Sequence, residues 1–135
     1  MDYQEKLAFL RSYRAEVRCG ETLAEEIEAL RSQAARMTQA LTGLPGGGDG
    51  QALPRAVERI LEAQHRLEEQ AARTIEARAR VGAAIARISD PMYQDILTRR
   101  YILGQQWERI AADNHFTLRR ILQIHRSAID RMEIS

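Results

Sequence analysis

The stretch GQQWERIAADNHFTLRRILQIH, residues 104–125, decides how the chain is read. Gly104 is suited to end a preceding helix, because a residue without a Cβ takes the left-handed turn found at helix ends. Trp107, Ile110 and Ala111 follow at helical spacing and define a short helix that ends near Asn114. Asn114, His115 and Phe116 make a tight corner. Thr117 then stands where a hydroxyl caps a third helix running to about Met132. A short helix, a tight turn and a longer helix are the helix-turn-helix plan.

The longer helix has two unlike sides. At ~100° per residue, Ile121, Ile124, Ala128 and Met132 gather on one side, and Arg119, Gln123, Arg126 and Asp130 on the other. Arg119 and Arg120 stand on the first turn, an end that already carries partial positive charge and favours anions. Phosphates of a bound duplex would make them favourable there. Arginine bonds bidentately to guanine edges and glutamine to adenine edges, while neighbouring arginines hold phosphates. Thr117, Arg119, Arg120, Gln123 and Arg126 are therefore the candidate DNA-contacting residues. Leu118, Leu122 and Ile129 widen the apolar arc. Packing is expected for Ile129; for Leu118 and Leu122, thymine methyls, the rest of the chain and a second subunit all stay open.

Upstream, Ser89-Asp90-Pro91 reads as a helix start, a capping Ser or Asp followed by Pro in the first turn. Residues 92–103 form a short helix with Met92, Ile96, Leu97, Tyr101 and Ile102 inward. Residues 90–135 thus make a three-helix module of the helix-turn-helix type.

The first 89 residues carry a different rhythm. Leu23, Ile27, Leu30, Ala34, Met37, Leu41 and Leu44 step by four and three, a seam of period about 3.5 typical of helices packed along their length. Tyr3, Leu7, Leu10 and Val17 follow a similar row, out of phase by one residue across Cys19-Gly20. Either the helix is overwound there, or it restarts with Thr22-x-x-Glu25 as a capping box; one continuous, slightly irregular helix is the favoured reading. LPGGGDGQALP, residues 44–54, breaks the pattern with glycine and proline. A second row follows: Val57, Ile60, Gln64, Leu67, Ala71, Ile75, Arg78, Val81, Ile85 and Ile88. The expected fold is all-α: a long antiparallel, coiled-coil-like hairpin over residues 1–89, then the module over 90–135.

Composition narrows function. Lys and Arg number 20 against 19 Asp and Glu, so overall charge announces no anionic partner. Residues 91–135 hold seven basic and five acidic residues, a net of only +2, which argues mildly against DNA contact: binding is expected to be modest and salt-sensitive, or helped by a partner. Only Lys6 among the basic residues is a lysine. The single cysteine, Cys19, allows no internal disulfide and fits a reducing compartment. No apolar run approaches the ~20 residues of a membrane span, and the first residues do not read as a signal peptide. A cytoplasmic protein with no membrane partner is expected. His65, His115 and His125 form no metal-ligand spacing with Cys19 or a carboxylate pair, GGGDG lacks the elements of a phosphate loop, and no catalytic set is suggested. The chain reads as a non-enzyme without metal or cofactor.

The C-terminal stretch resembles region four of bacterial sigma factors, a promoter-reading module. The residues that carry the likeness are Leu97, Arg100, Tyr101 and Gly104, then Trp107 to Ala111, then Thr117 through Ile129 in the pattern T-x-R-R-I-x-Q-I-x-x-x-A-I. The whole chain is similar to short phage and prophage proteins that join such a module to a coiled coil, some of them regarded as late-transcription activators. The resemblance implies DNA contact at Thr117, Arg119, Arg120 and Gln123. The chain departs from the pattern at Gln106, where a Ser or Thr usually caps, and at Leu118 and Leu122, where basic residues are common. It has no room for the other sigma regions, so it reads as an accessory regulator. Its expected partners are double-stranded DNA, RNA polymerase, and further copies of itself through the hairpin. Two other readings stay open: a DNA-packaging oligomer in the manner of small terminase subunits, and a polymerase-binding module without DNA contact.

Overall fold

The computed structural model describes residues 1–43 and 50–134. Its elements are five helices: α1 (Tyr3–Gly43), α2 (Ala52–Ala86), α3 (Pro91–Tyr101), α4 (Trp107–Asp113) and α5 (Leu118–Arg131). The chain is all-α, with α1 packed against α2 as a hairpin and three short helices following. None of the described helices is long and apolar enough to cross a membrane.

Local chemistry accounts for the helix ends. Asp2 and Glu5 cap α1 reciprocally: Asp2 Oδ1 accepts from Glu5 N at 2.8 Å, and Glu5 Oε2 accepts from Asp2 N at 3.1 Å. The helix then passes through Cys19-Gly20 without a break. Thr22 starts no second helix; its hydroxyl donates to Arg18 O at 3.1 Å. Residues 44–49, including Leu44 and most of the glycine-rich loop, lie outside the described residues, as does the side chain of Leu41. Pro54 falls in the first turn of α2, where its missing N–H leaves no bond unmade.

The chain forms two compact units, Met1–Val17 with Thr74–Ser135, and Arg18–Arg73. The boundary expected at residues 89 and 90 falls inside the first of them.

Within Arg18–Arg73, Gly20, Leu23, Ile27, Leu30, Ala34 and Met37 line the inner side of α1, with Ile27 buried and the others half-buried. Gln70 is buried on the facing side of α2, where its Oε1 accepts from Arg73 Nη2 at 2.8 Å and Nε at 3.3 Å.

The seam of α2 differs from the expected one. Val57, Ala71, Ile75 and Arg78 are all exposed. The inward row is instead Ala56, Ala63, Gln70, Ala77 and Ala84, every seventh residue, alternating with Ile60, Leu67, Thr74, Val81 and Ile88. This row keeps an unbroken heptad, the repeat that stays on one side of a helix when it winds slightly around a partner. Counting large apolar side chains pointed to a neighbouring face, because the true seam is built half from alanine.

Within the first unit, Leu7 and Leu10 from α1 and Val81, Ala84, Ile85 and Ile88 from around the end of α2 enter one core. Leu97, Tyr101, Ile102, Ala128, Ile129 and Met132 complete it. A smaller core holds Ile96, Ile110, Ala111, Ile121 and Ile124. Ile129 is fully buried, as expected. Met92 is not inward: it is 44% exposed, and Tyr93 packs against both cores in its place. Asp90 Oδ1 accepts from Met92 N at 2.9 Å, which starts α3 at Pro91 and sets the phase that turns residues 93, 96, 97 and 101 inward.

The space at Gly20 yields a stability expectation. A Cβ built there would lie 3.8 Å from Gln70 Cγ, an ordinary contact. Gly20→Ala should therefore stabilise the chain by about 0.5–1 kcal/mol, the usual gain from removing a mid-helix glycine. Urea unfolding followed by circular dichroism measures it; a loss of stability would show that α1 and α2 lie closer at this point.

Candidate nucleic-acid interface

The turn between α4 and α5 is built by backbone hydrogen bonds. Phe116 N donates to Ala111 O at 2.9 Å and His115 N to Ala112 O at 3.1 Å, the paired bonds of a Schellman ending. His115 occupies the left-handed position at φ 59°, a place usually given to glycine. Thr117 Oγ1 then accepts from Arg120 N at 3.1 Å and caps α5, as its position suggested. Gln106 precedes α4 without any side-chain cap.

The approach to α4 is equally specific. Gly104 takes φ 71°, and Gln105 N reaches back to Arg99 O at 3.0 Å. The Arg14 guanidinium lies over Gly104, so close that a Cβ there would stand 2.7 Å from it. Arg100 Nη1 donates to Gln105 O at 3.0 Å, and its guanidinium sits 4.9 Å from the centre of the Trp107 ring. Trp107 is half-buried rather than buried; it packs edge-on to the His125 ring at 4.6 Å. Leu97, Arg100, Tyr101 and Gly104, the residues of the leading motif, thus each hold the module together.

Beneath the turn lies a buried polar pair. Tyr101 Oη and His125 Nε2 are 2.6 Å apart. Burial pushes the Tyr101 phenol up to about 12, against the pull of Arg11 and Arg100. Burial, then Arg100 and Arg11, push the His125 imidazole down to about 4. At neutral pH both groups are uncharged and share one hydrogen bond, which fixes α5 against α3 at little electrostatic cost.

On this seat, α5 turns its other side outward. Thr117, Arg119, Arg120, Gln123 and Arg126 are all exposed. Arg119, Leu122, Gln123 and Arg126 line one shallow depression. Arg120 stands about 100° further round the helix, on the flank. The Thr117 hydroxyl is engaged as the cap, and the Arg126 guanidinium lies 4.3 Å from the centre of the Tyr3 ring. Among the described residues, the side chains of Arg119, Arg120 and Gln123 have no hydrogen-bond or ion-pair partner. Other arginines of the module are already matched: Arg99 with Asp95 at 2.9 Å and Asp113 at 3.6 Å, and Arg109 with Asp113 at 3.7 Å.

Residues not singled out from the sequence also shape the surface. Tyr3 positions Arg126. Lys6 Nζ donates to Ile129 O at 3.2 Å and Asp130 O at 3.5 Å, satisfying carbonyls at the end of α5. The one available signal was that Lys6 is the sole lysine of the chain. Among the described residues, no three His, Cys, Asp or Glu side chains are grouped to hold a metal ion.

No family model, curated protein or solved structure matches the chain.

The lowered His125 value sets a pH dependence. Unfolded His125 takes a proton near pH 6.5, whereas the folded group resists protonation until about pH 4. Stability is complete above 6.5 and falls as pH drops from 6.5 towards 4, by about 3 kcal/mol in all from this group. His125→Gln, which keeps an acceptor for Tyr101, should show a clearly shallower fall over that window in urea titrations at stepped pH. Equal slopes in the two proteins would mean that His125 protonates freely in the folded state.

Proposed function

We propose that the chain is a sequence-specific DNA-binding transcription regulator of phage or prophage origin, working in the cytoplasm and laying α5 in the major groove. The observation that carries this reading is the outward strip of α5, where Arg119 and Gln123 stand exposed and unpaired beside Arg126 on a firmly seated helix. Arg119 suits a guanine edge, Gln123 an adenine edge, and Arg120 and Arg126 adjacent phosphates. The Thr117 hydroxyl, while accepting from Arg120 N, still has its own proton to give a phosphate oxygen. The small net charge of the module limits the non-specific electrostatic term, so RNA polymerase or a second copy would supply further affinity. Val57, Leu61 and Ile75, exposed on α2, support self-association through the hairpin.

Duplexes selected from a random library, followed by fluorescence anisotropy, test the reading. Arg119→Ala should cost about 1–3 kcal/mol on the selected duplex and relax the preference at one base position. Arg120→Ala should weaken binding to all duplexes alike and reduce its salt dependence. Equal affinity of the native protein for selected and scrambled duplexes would overturn sequence-specific recognition. Light scattering on the complex separates regulation, expected as a monomer or dimer, from packaging, which needs a large ring.

A further inference from the structure

We infer that Leu118 and Leu122 read the C5-methyl groups of thymines, so that the sequence bound by this chain carries thymine beside the bases met by Arg119 and Gln123. The inference rests on the DNA-binding reading above and deepens it. The described residues leave both side chains open to a partner: Leu118 is 43% and Leu122 41% exposed, whereas Ile121, Ile124, Ala128 and Ile129 of the same helix are 5% or less. The two leucines are one helical turn apart and follow one edge of the outward strip. Leu122 lines the same depression as Arg119, Gln123 and Arg126.

The depression therefore combines one branched apolar side chain, Leu122, with two guanidinium groups and a carboxamide, and Leu118 stands one turn before Leu122 on the same edge of the strip. A duplex major groove offers the matching set. Its base edges present hydrogen-bond acceptors and donors and one apolar group, the thymine methyl. A lipid surface would leave Gln123 without a role. Double-stranded RNA lacks that methyl, and its major groove is too narrow and deep for side chains to read. Acidic residues do not oppose the match: along the strip the single carboxylate is Asp130, at the far end of the helix.

The test uses the full chain and a random duplex library carried through rounds of binding. The enriched pool is amplified twice, once with thymidine and once with deoxyuridine triphosphate, giving the same sequences with and without the methyl. The native protein should bind the uracil pool more weakly, roughly fourfold for each methyl that it buries. The double variant Leu118→Ala, Leu122→Ala changes two exposed positions; circular dichroism checks its helicity, and it should bind the two pools alike. Equal binding of both pools by the native protein overturns the inference and leaves the DNA-binding reading standing. The same loss on uracil in native and double-variant proteins also overturns it, since the effect would then come from duplex shape. Failure of any duplex to enrich overturns both, and leucine-dependent capture of a polymerase subunit in that case assigns the pair to a protein partner.

Discussion

The arrangement depends on α5 being buried in two cores at once. Ile121 and Ile124 close the small core with Ile96, Ile110 and Ala111, while Ala128, Ile129 and Met132 enter the core shared with Leu7, Leu10 and Val81. A helix held on one face alone can roll by several tens of degrees at modest cost. Here successive stretches of that face enter two different cores, and both oppose such a roll. The Tyr101–His125 bond and the Lys6 contacts to Ile129 O and Asp130 O fix it further. The outward position of Arg119 and Gln123 follows from burial elsewhere on the helix, not from any contact that they make.

Much of this was legible in the residues. The breaks at Gly104, at the Asn114–Phe116 corner and at Thr117 are written in backbone preference, which is local and survives without tertiary context. The inner and outer sides of α5 were equally clear, because isoleucine and arginine differ so sharply. The α2 seam was not legible: Ala56, Ala63 and Ala77 are buried while Ile75 is 72% exposed. Alanine carries almost no hydrophobic signal of its own, so its burial is decided by the partner helix. Met92 and Trp107 failed for a related reason. Each is apolar and at helical spacing, yet the capping residue ahead of α3 and the Arg100–His125 surroundings of Trp107 set how deep it goes.

The candidate surface was legible as residue types and illegible as availability. That Arg99 and Arg109 are matched by Asp95 and Asp113, and that Arg126 rests on Tyr3, follows from contacts between separate elements. Charge in the module is thus sorted by geometry. The ion pairs gather on α3 and α4, and the unmatched guanidinium groups remain on the first turn of α5. A net charge of +2 over residues 91–135 hides this sorting, because it averages a neutral scaffold with a locally positive edge.

The core that seats α5 also has a history in time. Lys6 and Ile129 touch although 123 positions separate them along the chain. Closing so wide a gap directly would be entropically slow. The hairpin shortens it: once Leu10 lies against Val81, the span still to be closed runs only from Ile88 to Ala128. The outward strip of α5 is then the last part of this unit to acquire a fixed orientation.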